Sequence, residues 1–152
     1  MKRFITYLMS AMMLLSLASC YKSDRIFEET AAQRTQERVE LCRNALLARE
    51  TWVMEYFPDE DLRYGGWIYV LQFSPDYTVK VWFEGAGFIP QTDPVTESEY
   101  KVEPSTGPML KFSTNNDYIH FFSFPGGPNG GGYRGWGGDH EFTIMSVSDN
   151  YD

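Results

Sequence analysis

Two histidines, one interior cysteine and a few clustered carboxylates are the groups in this 152-residue chain that could do chemistry. Their spacing argues against most of it. No H-x-x-x-H, C-x-x-C or calcium-loop spacing occurs, so neither a metal nor any other cofactor is expected. His120 lies in the aromatic run DYIHFFSF and reads as a structural histidine with its ring nitrogens satisfied. His140, between Asp139 and Glu141, could ligate a metal, but charged residues entering a strand are more readily explained as a solvated stretch. No G-x-S-x-G elbow marks a hydrolase serine. Asp59, Glu60 and Asp61 follow Pro58 on an expected loop and read as a solvated charge run. A glycosidase needs two carboxylates facing each other across a cleft, which adjacency in sequence does not supply. The glycine-rich stretch PGGPNGGGYRGWGG lacks G-K-[ST] and has no helix pattern after it, so it is not a phosphate loop. Its Tyr133, Arg134 and Trp136 could instead stack on sugar rings and hydrogen-bond hydroxyls. The competing and preferred expectation is a flexible connection whose aromatics fold back on the sheet. No enzyme is expected.

One cysteine has a clear chemical role. Lys2 and Arg3 form a positive start, and Phe4 to Leu17 follow without a charge, the layout of a secretory signal. That run is too short for a bilayer-crossing helix, which needs roughly 20 residues. It closes on Leu17-Ala18-Ser19-Cys20, which resembles the bacterial lipobox: an aliphatic residue, two small ones, then the cysteine that receives diacylglycerol. Residues 1–19 are therefore expected to be a cleaved signal peptide, and Cys20 a lipidation site. With an N-acyl chain such as palmitate added, the lipid exceeds the two signals that stable anchoring takes. Only one acidic group follows in Tyr21-Lys22-Ser23-Asp24, whereas surface-exported lipoproteins of this type carry acidic runs there. The expected location is the envelope, at the outer membrane.

Removing Lys2 and Arg3 takes the formal charge from -8 to -10, so nucleic acid is not an expected partner. The acidity reads as solubility at an envelope surface. With Cys20 lipidated, Cys42 remains alone and no intrachain disulfide framework exists. Its place in a helical pattern makes it a buried small hydrophobe.

The elements behind these groups follow from pattern. Residues 20–29 read as lipidated cysteine and tether, and residues 30–152 as one helix-plus-β domain. Thr30 and Gln33 make a T-x-x-Q capping box that should start a helix running to about Arg49. Ala32, Val39, Leu41, Cys42, Ala45 and Leu46 lie toward one side, with Arg34, Glu37, Arg38 and Arg43 facing water. From Thr51 the texture changes to short aromatic and β-branched runs between Gly, Pro, Asn and Asp. Strands are expected near 51–57, 67–73, 79–84, 96–103, 109–113 and 141–147, and residues 118–124 fit no single pattern. WIYVLQF and TVKVWFE should form a hairpin through Ser74-Pro75-Asp76-Tyr77, with Tyr77 where a left-handed residue is needed. Its core face should carry Trp67, Tyr69, Leu71 and Phe73 against Val79, Val81 and Phe83. Tyr100, Val102, Leu110 and Phe112 should face the core from the next pair. The fold class is thus mainly β with one N-terminal helix, an antiparallel meander forming a curled sheet or incomplete barrel. A two-sheet sandwich is the alternative that chain order does not separate.

The ordered set YGGWIYVLQFSPDYTVKVWFE, PMLKF, NNDYIHFFSFP and GGDHEFTIM resembles an uncharacterised family of Bacteroidetes-type lipoproteins bearing a domain of unknown function. The resemblance brings no activity, cofactor or site residue with it. Trp52 on the first strand and the hairpin are also similar to lipocalin-like small lipoproteins, which implies a barrel. Members of the family typically continue past the GGD-x-EF strand, so this chain is expected to be a truncated relative with an exposed strand edge. The function expected is a noncatalytic envelope interaction or structural domain, with the membrane and an envelope protein as partners. The alternative is a surface glycan-binding module, with Trp67, Trp82, Tyr64, Tyr133 and Trp136 as its aromatic supply.

Overall fold

A computed structural model describes residues 29–89, 93–125 and 135–150. Within the unit Ala31–Asp152, one helix, α1 (Ala31–Leu47), precedes six strands: β1 (Trp52–Tyr56), β2 (Trp67–Phe73), β3 (Thr78–Phe83), β4 (Thr96–Pro104), β5 (Pro108–Phe112) and β6 (Glu141–Thr143). Every strand pairs antiparallel with its chain neighbours in the order β1-β2-β3-β4-β5-β6. The meander is therefore one curled sheet, a half-barrel. The curl is carried by β4, whose first half, Thr96–Glu99, pairs with β3 while its second half, Tyr100–Pro104, pairs with β5.

The hairpin between β2 and β3 shows how local chemistry sets register. Tyr77 N–H donates to Ser74 O (3.1 Å) and Ser74 N–H to Thr78 O (2.9 Å). Asp76 Oδ1 accepts from both the N–H and the hydroxyl of Thr78. Tyr77 takes the left-handed conformation at φ 67°, the position the turn demands. Arg43 lies over its ring at 4.4 Å and donates from Nη2 to Pro75 O (2.9 Å). Arg43 therefore does not face water as its helical position implied: the turn reaches far enough to cover its guanidinium.

Alternation then decides what is buried. Tyr69, Leu71 and Phe73 on β2, Val79, Val81 and Phe83 on β3, Tyr100 on β4 and Leu110 and Phe112 on β5 form the core, with Trp67 and Val102 partly buried against it. Each fully buried large apolar side chain contributes about 1.5–3 kcal/mol. Among the ring contacts, Tyr69 stacks on Phe83 at 4.4 Å and Tyr56 meets Tyr69 edge-on at 5.8 Å. The helix starts at Ala31, immediately after Thr30, and buries Val39, Cys42 and Ala45 against β4 and β5. Leu41 and Ala32, expected on that side, are exposed. Trp52 ties the helix end to β1 by donating from Nε1 to Leu46 O (2.9 Å).

One ambiguous segment is resolved and one strand is shortened. Residues 118–124 are not a strand: they wind in tight turns, with Ser123 and Phe124 N–H both donating to His120 O. Asn116 starts the winding, its buried Oδ1 accepting from Tyr118 N–H (3.1 Å), Ile119 N–H (3.2 Å) and Thr96 Oγ1 (2.9 Å) while Nδ2 donates to Ser98 Oγ (3.2 Å). This segment presses Tyr118, Ile119 and Phe122 into the concave side of the sheet, and Tyr69 donates its hydroxyl to Tyr118 O (3.1 Å). The last strand stops at Thr143 instead of 147. Ile144 N–H makes its bond to Pro108 O, the first residue of β5, so the ladder has no further partner to follow.

Candidate functional site

A half-barrel leaves two outer edges, and here they face a common cleft. Its walls are Met54 to Asp61 and Arg63 on one side and Gly137, Asp139 and Glu141–Thr143 on the other, around about 680 Å³. The seam is bridged on its inner side. Tyr56 accepts from Asp139 N–H (2.7 Å), donates to Asp139 O (3.2 Å) and meets the Phe142 ring edge-on at 5.8 Å. Burial pushes the Tyr56 phenol above its ordinary value, opposed only in part by the Asp139 backbone bond, so it stays a neutral donor. Gly138 is required by this contact. A Cβ there would sit 2.4 Å from Phe122 Cβ and 2.6 Å from the Tyr56 hydroxyl.

Backbone direction shows which groups of β1 are unused. Ile68 N–H is turned to the β3 side, where it donates to the carboxylate of Glu84, the residue after that strand (2.6 Å). Alternate residues of a strand bond to opposite sides, so Trp67, Tyr69 and Leu71 serve β1 through their partners Tyr56, Met54 and Trp52. Val53 and Glu55 thus direct their N–H and C=O away from the sheet, and Glu55 does so into the seam. Across it, His140, Phe142 and Ile144 serve β5, leaving Thr143 turned outward, while Glu141 N–H is taken by Asp139 Oδ1 (3.0 Å).

The seam is acidic. Asp59 is less solvated than its run in sequence implied: its side chain is 6 % exposed, bonded to the Arg63 guanidinium and accepting from Asp61 N–H (2.7 Å). Those bonds, the Arg63 one foremost, hold its carboxyl below the usual carboxylate value. Glu141 pairs with Lys111. Glu55 and Glu60 pair with no cation among the described residues.

Of the residues singled out from sequence, Asp59, Glu60, Asp61, Asp139 and Glu141 line this cleft, whereas His120, His140, Cys42, Tyr64, Trp67, Trp82 and Trp136 do not. Cys20, Tyr133 and Arg134 lie outside the described residues. Trp136 is half-buried and stacks on Tyr64 at 4.4 Å, so each ring covers a face of the other. Its backbone N–H donates to Phe122 O (2.7 Å), strapping this end of the glycine-rich stretch to the interior segment. Trp67 and Trp82 are half-buried as well. His120 Nδ1 lies 2.9 Å from Asn116 O, and its ring rests 4.6 Å from that of His140. Burial, with a smaller contribution from His140, holds the His120 imidazole below its ordinary value. Cys42 is a buried free thiol. Among the described residues no three His, Cys, Asp or Glu side chains gather as metal ligands, and no helix is long and apolar enough to cross a membrane. Sequence reasoning anticipated an exposed edge on the last strand, which here ends the sheet order as β6, but not the free edge of β1. The signal for β1 was its position as first strand of a meander, with Val53 and Glu55 on the outward alternation.

Helix, half-barrel and acidic seam define a small mainly-β domain with a filled interior and an open strand edge. The chain belongs to the family of a domain of unknown function (DUF4302), whose model matches residues 23–151. No curated protein and no solved structure matches it.

Proposed function

We propose that this chain is a lipid-anchored, noncatalytic component of the bacterial cell envelope, held at the outer membrane through Cys20 and working by contact with another envelope protein. The observation that carries the reading is the filled interior. Tyr118, Ile119 and Phe122 occupy the concave side where a lipocalin-type barrel would hold a ligand, so recognition falls to the outer surface. The signal-like N-terminus and the Leu17-Ala18-Ser19-Cys20 sequence support the anchor. The glycan reading keeps Tyr133, Arg134 and Trp136 as its candidates, but the mutual stacking of Trp136 and Tyr64 takes a platform face away from it.

Membrane fractionation of the full chain and of Cys20→Ala, combined with crosslinking in intact cells, tests this function. The wild type should sediment with outer membranes, Cys20→Ala should not, and crosslinks should run from the β-domain to a defined protein. Equal fractionation of both forms would refute the anchor. Crosslinks only to polysaccharide would favour the glycan reading.

A further inference from the structure

The seam suggests how such a partner is held. We propose that the free edge of β1 takes up an extended, positively charged segment of a partner protein as an added strand, seated in the cleft between β1 and β6. This inference rests on the partner-binding reading above and names its site and chemistry.

Three observations combine. The outward N–H and C=O groups of Val53 and Glu55 form a strand edge with no ladder partner in the sheet. An unpaired edge is a template for another strand, and main-chain bonds of this type supply affinity without demanding one sequence. The cleft beside that edge has the volume of a binding site, about 680 Å³. Its walls carry Glu55, Asp59, Glu60, Asp61, Asp139 and Glu141; Arg63 pairs with Asp59 and Asp61 and Lys111 with Glu141, leaving the walls net acidic.

Charge selects the occupant. A second copy of this chain would bring its own Glu55 and acidic seam against these carboxylates, and the chain as a whole carries a formal charge of -8. Like charges brought together at an interface oppose pairing, so the edge is blunted toward itself and open to a cationic strand. Lysine or arginine side chains alternating along the incoming segment would meet Glu55 and Glu60, while the apolar side chains between them pack toward Met54 and Phe142. Val53, 67 % exposed, shares the face of Glu55 and would meet the same side of the incoming strand.

The probe is a fluorescent decapeptide alternating lysine with valine and threonine, compared by anisotropy with the same peptide carrying glutamate for lysine. The protein is the full chain in detergent. The lysine peptide should bind, the glutamate peptide should not, and binding should weaken as salt screens the cleft. Val53→Pro removes an N–H that β2 does not use, and proline is tolerated on a strand edge; it should weaken binding by about tenfold or more. Because that variant alters the protein backbone, the same loss should appear when the peptide itself is N-methylated at alternate residues, with the protein unchanged. Equal binding of both peptides, or of neither, overturns the proposal. So does binding that survives both Val53→Pro and N-methylation, which would reduce the cleft to a charged surface, and so does a dimer that Val53→Pro dissociates. A peptide failure alongside crosslinks from another face in intact cells would remove the seam and leave the partner-binding reading standing.

Discussion

Replacing Asn116 with alanine tests whether the interior segment is an integral part of this fold. The side chain is 2 % exposed and satisfies four groups at once: the N–H groups of Tyr118 and Ile119, the Thr96 hydroxyl and the Ser98 hydroxyl. Alanine leaves the two N–H groups with no acceptor, and both residues are buried. Loss of a capping side chain alone costs about 0.5–2 kcal/mol. A stranded buried donor costs about 1–3 kcal/mol. These overlap, since the cap bonds are the stranded donors, and a net loss of about 3–4 kcal/mol is expected. For a unit of about 120 residues, each kcal/mol shifts the melting temperature by about 4 °C, so Tm should fall by roughly 12–16 °C. Urea unfolding followed by circular dichroism should show the same loss in midpoint with an unchanged slope. Asn116→Asp keeps an oxygen for both N–H groups, and Ser98 can turn its hydroxyl to donate, so it should lose less than half as much. An alanine variant within about 1 kcal/mol of wild type would refute the assignment of Asn116 as the cap that holds the interior closed.

Leu62 adopts φ 55° with its side chain 59 % exposed. A left-handed L-residue costs about 1–2 kcal/mol and glycine returns about 0.5–1 in chain entropy, so Leu62→Gly should raise Tm by a few degrees; a lower Tm would contradict this. His120 is held below its ordinary value of 6.5 by burial, so the unfolded chain binds the proton more readily. Stability should therefore fall as pH drops through 6.5 and level off below the folded value, and a histidine NMR titration midpoint at or above 6.5 would overturn this. Burial also pushes the Cys42 thiol up, with Arg38 opposing more weakly. A chain beginning at Tyr21 should resist a thiol reagent at neutral pH until denatured, and prompt labelling of the native protein would refute it.

Much of the sheet was legible in the sequence because its strands alternate cleanly. From Trp67 to Phe83, period and turn residues fixed pairing, faces and even the left-handed Tyr77, since Pro75 and Asp76 act within four residues. Curled sheet and sandwich shared the same chain order. What separates them is β4 bending between two partners, a long-range property with no local marker. YIHFFSF was ambiguous because its aromatics satisfy any period, and the deciding residue, Asn116, lies outside the run. EFTIMSV alternates like a strand but outlives its partner, as β5 begins at Pro108. The seam was illegible for a similar reason: Asp59 and Glu141 meet across it only once the sheet curls.

The strict neighbour-to-neighbour order of the strands also bears on how the chain reaches its native state. The ladders from β1 to β5 close over connections of 3 to 12 residues and can zip progressively at little entropic cost, whereas β6 reaches β5 only after the 28 residues 113–140. The interior segment breaks that locality: Tyr118 must find Tyr69, and Tyr56 must find Asp139, far along the chain. Until they do, the concave aromatic face stands open to water. Docking of residues 116–124 is therefore the step expected to cover that face and protect the chain from aggregation, after the local strands have paired.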